Sequence, residues 1–521
     1  MDEQSPPRGI GLGLANKLDQ FLTRRRDVVL CALFLTAVIL VLHSRQYLCL
    51  ENGDPSLWDY TAQSILRGQI PYRDVVQIKT PLSAYLSALV LVAAKPLGVN
   101  GLIAIRFVKI LLAAGLLVTT YALAELYLTS RAAALIAFLA PLGLQAFAAR
   151  VSTGTEQKLP MIFFGVLALL LIAKDKPFWA GLVSMLSCLS WQPGLLFTGT
   201  AVLVCSNYLR SWRDLRAVKV TIGAALPLLV TILYFHHQGA LGDFWKWTFA
   251  YNLTVYAPYS VKTLSEQIRH VSLVTRRSLG VRGTVVLCVA FLGYVVSWAS
   301  ALRGKHNGND IQDTPPNLQY HAILIAPLVY LIYLRFDFNA GPYLIPLYPF
   351  IGIFLGSLVT VLVRSARSRW KGATASRTTR IAETGVIGLL CYQVIAVCFF
   401  GMYSGPTLYD QYEEIAPISR LVTPGDSLYC QGQAAFLVML DRPSVSKYLW
   451  FDRGKGDFAA RGLPGGFQAI MAKLEAHAPK IVQAARFNDV AHRQEIEDWL
   501  ATHYEPMGLR YFDLYIRKEA N

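Results

Sequence analysis

A chain of 521 residues that is 54% hydrophobic and only 16% charged, with a mean hydropathy of +0.39, excludes a string of soluble domains, because too few polar side chains are available to cover them. The net charge of +16 does not imply a nucleic-acid partner, since the basic residues gather in short loops such as "LRSWRDLRAVK" (209–219) and "RSARSRWKGATASRTTR" (364–380), where the positive-inside rule and anionic membrane lipids account for them. Of the eight cysteines none forms a CxxC and only Cys430 stands in a clearly soluble stretch, so no disulfide or zinc framework is implied.

The first apolar run begins after Arg24, Arg25 and Arg26 and carries no small-x-small cleavage pattern, so it reads as an uncleaved signal anchor. The arginines put residues 1–26 in the cytoplasm and residue 51 outside. Further apolar runs follow at 82–95, 102–127, 131–149, 159–173, 178–206, 217–236, 282–302, 318–335, 343–363 and 381–403. The fold class is an α-helical polytopic membrane protein with about 11–13 transmembrane helices, because apolar runs of roughly 20 residues are long enough to cross the hydrocarbon layer. The run at 82–95 is short enough to be tilted or re-entrant, and "WQPG" breaks 178–206, since proline removes a helical hydrogen bond. With the basic loops in the cytoplasm, 237–281, 336–342 and the C-terminus lie outside after an odd number of crossings.

From residue 404 the charge content becomes ordinary and short alternating runs replace the long apolar ones. Amphipathic helices at 408–421, 466–477 and 489–502 alternate with strands at 427–430, 480–484 and 511–516, which describes a small soluble α/β domain over 404–521, outside the membrane. The transmembrane domain is then 27–403, with a first external loop at 50–81. That loop, "ENGDPSLWDYTAQSILRGQIPYRDVVQIKTP" from residue 51, carries four acidic and three basic residues between two apolar runs. Its Asp-Pro start, the spacing of Leu57, Trp58, Ala62, Ile65 and Leu66, and the stop at Gly68 predict an amphipathic helix at the membrane surface. Asp54 is either the cap of that helix or a functional carboxylate. Asp74 either pairs with Arg73 or belongs to a site. Arg106 and Lys109, one helical turn apart, either snorkel or bind an anion. Glu156 and Lys158 are a solvated loop or a site, Tyr343 and Tyr348 are interfacial aromatics or ligands, and Asn252 opens an "NLT" glycosylation sequon. His236 and His237 lack further ligands at metal spacing.

The order "GDPSLWDYTAQSILRG", "GQIPYRD", "KTPLSAYL" resembles the first external loop of the GT-C superfamily of polyprenyl-phosphate-sugar-dependent glycosyltransferases, in particular its bacterial ArnT-like and protein O-mannosyltransferase-like members. "IRFVKILLAAG", "STGTEQKLP", "GALGDFWKWTFAYN", "AGPYLIPLYPF" and the final "PGDSLYCQG…FDLY" block extend the resemblance along nearly the whole chain. The chain departs from it at Lys79-Thr80-Pro81, where many relatives have His-Pro-Pro. The resemblance implies a GT-C-like fold and inverting transfer of a sugar from a polyprenyl-phosphate donor to a lipid, glycan or protein acceptor on the outer face of a membrane, a bacterial inner membrane for preference. Such chemistry needs a base for the acceptor hydroxyl and cations for the leaving phosphate. The candidates are Asp54 and Asp74 as catalytic carboxylates, Arg73, Lys79, Arg106 and Lys158 at the donor phosphate, and Tyr72, Glu156, Asn252 and Tyr343 at the substrates. The residues name no certain cofactor, and a divalent cation, magnesium or manganese, is left open as a helper. A transporter or flippase of lipid-linked sugars, or a ligase or polymerase of lipid-linked glycans, are the alternatives; the gathering of ionisable residues at loops instead of the bilayer midplane favours the transferase over the transporter.

Overall fold

The structure, a computed structural model, describes residues 25–210, 214–260, 263–303, 318–338, 340–369, 373–484 and 491–518. The segment expected to lie in the cytoplasm before residue 25 is outside the described residues. Helices run in the order α1 Arg26–His43, α2 Gly53–Leu66, α3 Leu82–Ala94, α4 Gly101–Leu128, α5 Arg131–Leu142, α6 Gln145–Val151, α7 Lys158–Ala173, α8 Pro177–Ser190, α9 Leu195–Cys205 and α10 Leu215–His237. A short α11, Leu241–Trp245, continues through two π-helical turns, Lys246–Ala250 and Asn252–Tyr256, into α12, Ala257–Ser260. Then come α13 Leu264–Arg303, α14 Leu318–Phe336, a 3-10 turn Gly341–Leu347, α15 Tyr348–Arg369 and α16 Ala373–Ile395.

Six of these units are long and apolar enough to cross a bilayer, and a seventh is the pair α5 and α6, bent by 70° between them. The segments Leu82–Leu97, Lys158–Ala173, Pro177–Ser190, Gln192–Cys205 and His321–Phe336 are apolar but shorter. As the proline argument requires, 178–206 is two helices separated by the 3-10 turn Gln192–Gly194. The segment Gly341–Arg369 is the centre of the bundle, with 89% of its most apolar window buried. It reaches that depth because Gly352 and Gly356, one turn apart on α15, lie against α5: an added Cβ would stand 2.3 Å from the Ala137 carbonyl oxygen and 2.6 Å from that of Ala133. Small residues at that spacing let two helix backbones touch where lipid supplies no hydrophobic drive.

The bundle has two chemically different ends. At one, Arg26 and Arg131 pair with Glu125 at 2.8 and 3.4 Å, Arg364 donates to the Leu128 carbonyl, and Arg216 pairs with Asp175. At the other stand α2 and the loop that follows it, the α6–α7 loop, residues 238–260 and the C-terminal module.

That module opens with α17, Leu408–Leu421, started by a reciprocal Thr407–Asp410 capping box. A sheet of β1 Leu428–Gln431, β2 Ile481–Ala484, β3 Tyr504–Pro506 and β4 Leu514–Arg517 follows in the order β1-β2-β4-β3, with β1 and β2 parallel and the other pairs antiparallel. Helices α18 Ala435–Leu440, α19 Lys455–Ala460, α20 Gly466–His477 and α21 Arg493–His503 complete it. Two of the three expected helices begin and end as read; the first residues of 489–502 fall outside the described residues, and the short β3 was not foreseen.

The module has no core of its own apart from the loops. Leu57, Tyr60 and Val75 share one apolar cluster with Leu408, Phe436 and Leu514, and Tyr72, Ile78, Trp247 and Tyr251 share another with Phe451, Phe458 and Val482. Polar contacts follow the same seam. The Glu51 amide donates to Gln411 Oε1, Ser56 Oγ accepts from the Ala434 amide, the Tyr60 hydroxyl accepts from the Ser444 amide, and the Val76 amide donates to the Lys447 carbonyl. Helix α2 is therefore enclosed, with Ser56, Asp59, Thr61 and Ser64 buried as well as Leu57, Trp58 and Ala62. This corrects the expectation of a helix lying on the membrane surface: the polar face that would have met water meets the module at Ser56, the α6–α7 loop at Asp59 and Gln77 at Thr61.

Candidate functional site

Two cavities open at this end of the bundle and share Gly53, Asp54 and Pro342 in their walls. The larger, about 710 Å3, is lined among others by Glu51, Arg106, Arg150, Glu156, Arg277 and Tyr403. The smaller, about 370 Å3, is lined among others by Lys79, Lys158, Tyr256, Tyr343, Trp450 and Arg453.

Asp54 stands in the first turn of α2, behind the N-cap Asn52, and is solvent-exposed. Among the described residues its carboxylate has no hydrogen bond or ion pair, so it is not the cap; the helix N-terminus favours its charge without consuming its oxygens.

Lys79 is set in place by its backbone. The Tyr72 hydroxyl donates to the Lys79 carbonyl at 2.7 Å, and Asn252 Nδ2 and Gln192 Nε2 both donate to the Ile78 carbonyl at 2.7 Å. Tyr72 is fully buried and holds φ at 74°, an uncommon conformation for a bulky residue, kept by the 2.7 Å bond from its amide to the Val75 carbonyl. The Lys79 ammonium lies 5.3 Å from the Trp191 ring centre and 5.4 Å from that of Tyr256. Burial pushes it down to about 8, with Lys158 adding to the effect and Asp337 and Asp54 opposing it.

Lys158 begins α7, lies 4.9 Å from the Trp191 ring centre and 5.0 Å from that of Tyr343, and pairs with Glu156 at 2.9 Å. Although burial pushes the Glu156 carboxyl up, the Lys158 pair holds it below the usual carboxylate range. Trp191, from the "WQPG" break between α8 and α9, is thus the aromatic partner of both lysines. Beneath them the Asp337 carboxylate accepts from the hydroxyls of Tyr333, Tyr256 and Tyr343.

Under Asp54 lies a second, buried group. Arg106, 1% exposed, pairs with Glu51 at 2.6 Å and donates to the Tyr47 and Cys49 carbonyls, while Lys109 donates to the Glu156 carbonyl. Neither residue snorkels; Arg106 ties residues 47–51 to α4, and Lys109 the α6–α7 loop. Asp59 accepts from the amide and hydroxyl of Thr155, and its carboxyl is raised to about 8 by burial and by the neighbouring Glu51 charge. Burial raises Glu51 as well, against the pull of Arg106.

Of the residues singled out in the sequence, Asp54, Lys79, Lys158 and Tyr343 meet at the smaller cavity, and Glu156 and Arg106 reach the larger one. Tyr72 and Asn252 stand behind Lys79 and position it. Arg73 and Asp74 line neither cavity: they pair with each other at 2.8 Å, Arg73 donates to the Gln238 carbonyl, and Asp74 closes its turn by accepting from the Ile70 amide. The Arg73 bonds hold the Asp74 carboxyl below the usual range, as in a structural turn. Sequence reasoning missed Trp191, Asp337 and Arg453; the helix break at "WQPG" was the one signal that pointed to the first. Among the described residues no three His, Cys, Asp or Glu side chains converge, and of the acids near Asp54, Glu156 is paired with Lys158 and Glu51, through Oε2, with Arg106.

Among solved structures, the chain is similar to ArnT from Cupriavidus metallidurans bound to undecaprenyl phosphate, with a TM-score of 0.59 at 13% identity over 94% of this chain and 98% of that one. It is similar also to the Archaeoglobus fulgidus oligosaccharyltransferase complexed with zinc and sulfate, with a TM-score of 0.52 at 11% identity over 93% and 73% of the two chains. The oligosaccharyltransferase AglB of the same organism, with an inhibitory peptide and a dolichol-phosphate, gives 0.52 at 11% over 88% and 69%. No family model matches the chain, and no curated protein does. The chain shares the fold of these structures, a polytopic helical bundle with a small α/β module at one end.

Proposed function

We propose that the protein is an integral-membrane glycosyltransferase that moves a sugar from a polyprenyl-phosphate donor to a hydroxyl of a lipid, glycan or protein acceptor, with inversion. The observation that carries this reading is the position of Asp54, an unpaired carboxylate where two cavities meet, one of them rich in lysine. The acceptor enters from the larger cavity and gives its hydroxyl proton to Asp54 as its oxygen attacks the anomeric carbon. The bond from that carbon to the phosphate oxygen breaks on the opposite face, and the polyprenyl phosphate leaves with the electron pair. Lys79 and Lys158 meet the charge that grows on it, in a site where burial strengthens the attraction. Glu156 and Tyr343 position Lys158, Tyr72 and Asn252 position Lys79, and Arg106 holds the loop in front of Asp54. Arg73 and Asp74 act on the turn alone. The GT-C fold, and neighbours with undecaprenyl phosphate or a dolichol-phosphate, support the donor class. The basic end of the bundle supports a cytoplasmic N-terminus and, with it, a site on the outer face; the membrane we propose is a bacterial inner membrane.

The test is binding of undecaprenyl phosphate to purified protein. Lys79→Ala and Lys158→Ala are each expected to weaken it roughly tenfold or more, as loss of a charge-assisted contact does. Wild-type affinity in both variants contradicts the assignment.

A further inference from the structure

The smaller cavity has a wall that this chemistry leaves unused. It comes from the C-terminal module, as Gln431 at the end of β1, Gln433 in the loop after it, Trp450, Asp452 and Arg453 in the turn before α19, and Lys455 at the start of α19. The turn is held against an energetic cost. Arg453 and Gly454 are both left-handed, at φ 51° and 71°, and only the second is glycine. What holds it is the π-helical segment of the membrane domain: the Tyr251 hydroxyl donates to the Arg453 carbonyl at 2.9 Å, and Arg453 Nη1 donates to the Tyr256 hydroxyl at 2.6 Å. A side chain at Gly454 would put its Cβ 2.8 Å from Val255 Cγ1. The turn is thus fastened to the same tyrosine that flanks Lys79.

The side chains it presents are those of a carbohydrate subsite. Trp450 and Gln157 both line the cavity, and each has a buried donor, Nε1–H and Nε2–H, that makes no hydrogen bond among the described residues. Gln431 spends its amide oxygen on the Tyr429 hydroxyl, and Gln433 lines the cavity beside it. Asp452 is paired with Lys455 at 2.7 Å, and that ammonium lies 3.7 Å from the Trp450 ring centre. Of the two acids among the described residues lining the cavity, Asp452 is paired and only Asp54, on α2, is not, while Lys79, Lys158 and Arg453 give the cavity an excess of positive charge.

We propose that the C-terminal module reads the sugar of the donor, with Trp450 and Gln433 contacting its hydroxyls and Arg453 at the sugar–phosphate junction, and that the sugar is uncharged and not one carrying an ammonium. This rests on the transferase reading above, and it turns the module from a cap into the specificity-determining part of the site.

The experiment compares bare undecaprenyl phosphate with undecaprenyl phosphates carrying a neutral hexose, a neutral pentose or an amino sugar, on full-length protein in nanodiscs. Wild type is expected to bind a neutral-sugar donor at least about tenfold more tightly than the bare phosphate. Trp450→Phe, which keeps the ring and removes the N–H, and Gln433→Ala are expected to lose that increment while binding bare undecaprenyl phosphate within about twofold of wild type, which also shows that they fold. Equal loss for bare and glycosylated lipids, no change in either, or tightest binding of the amino-sugar donor overturns the proposal. Failure of wild type to bind bare undecaprenyl phosphate overturns the transferase reading instead, and the subsite with it.

Discussion

Lys79 shows how a single side chain ties burial to a measurable pH response. Its ammonium is pushed down to about 8, so the free protein loses the charge as pH rises through that value. Affinity for undecaprenyl phosphate is expected to be flat below pH 7 and to fall above pH 8 by up to about tenfold per unit. In Lys79→Arg, whose guanidinium stays charged, the fall is expected to vanish. Asp59 has the opposite sign. Its carboxyl is raised to about 8, so the folded chain holds a proton that the unfolded chain has given up. The stability this confers is complete below about pH 4 and is lost as pH rises toward 8, by up to about 1.4 kcal/mol per unit. Thermal melting in detergent between pH 5 and 7.5 is expected to fall with rising pH in wild type, and to flatten in Asp59→Asn. At this scale the sequence marked Asp54 and Lys79 because each follows a recognisable local pattern. It did not mark Asp59 or Asp337, whose meaning comes from Thr155 and from Tyr333, which are remote or unremarkable in the chain, and it marked Asp74, whose pairing with Arg73 is a local fact of a turn.

At the scale of elements, the α6–α7 loop presses its backbone onto α2. An added Cβ at Gly154 would stand 2.6 Å from Asp59 Oδ2 and 2.8 Å from Pro55 Cβ, so neither the buried carboxyl nor the proline has room to yield. Gly154→Ala is expected to cost about 1–3 kcal/mol of stability, read as a lowered melting temperature. Gly199→Ala on α9, where a Cβ meets nothing within 4 Å, is the matched control and is expected to be neutral or slightly stabilising. The helix break at "WQPG" was legible because proline and glycine act locally. The burial of α2 was not, since its apolar positions fit a membrane surface and a protein interface equally well; only the partner decides, and the partner begins some 350 residues further on.

For the whole molecule, hydropathy gave the bundle and the change in texture near residue 404 gave the module, but composition carries no record of which loops the module's core absorbs. Phe436, fully buried in the cluster with Leu57, Tyr60 and Val75, tests that union. Phe436→Ala is expected to cost about 3–5 kcal/mol and to raise amide exchange in residues 57–78 together with 428–438; exchange confined to the module would contradict a shared core. The central claim is that Asp54, between the two cavities, takes the acceptor proton. Its most direct measurement is the rate at which free undecaprenyl phosphate is released from a labelled undecaprenyl-phosphate neutral sugar by reconstituted protein given bacterial envelope glycolipids as acceptors. Asp54→Asn is expected to release it roughly 100-fold more slowly than wild type at unchanged donor affinity, and a rate within about threefold of wild type, well short of the loss expected of a general base, would contradict the account.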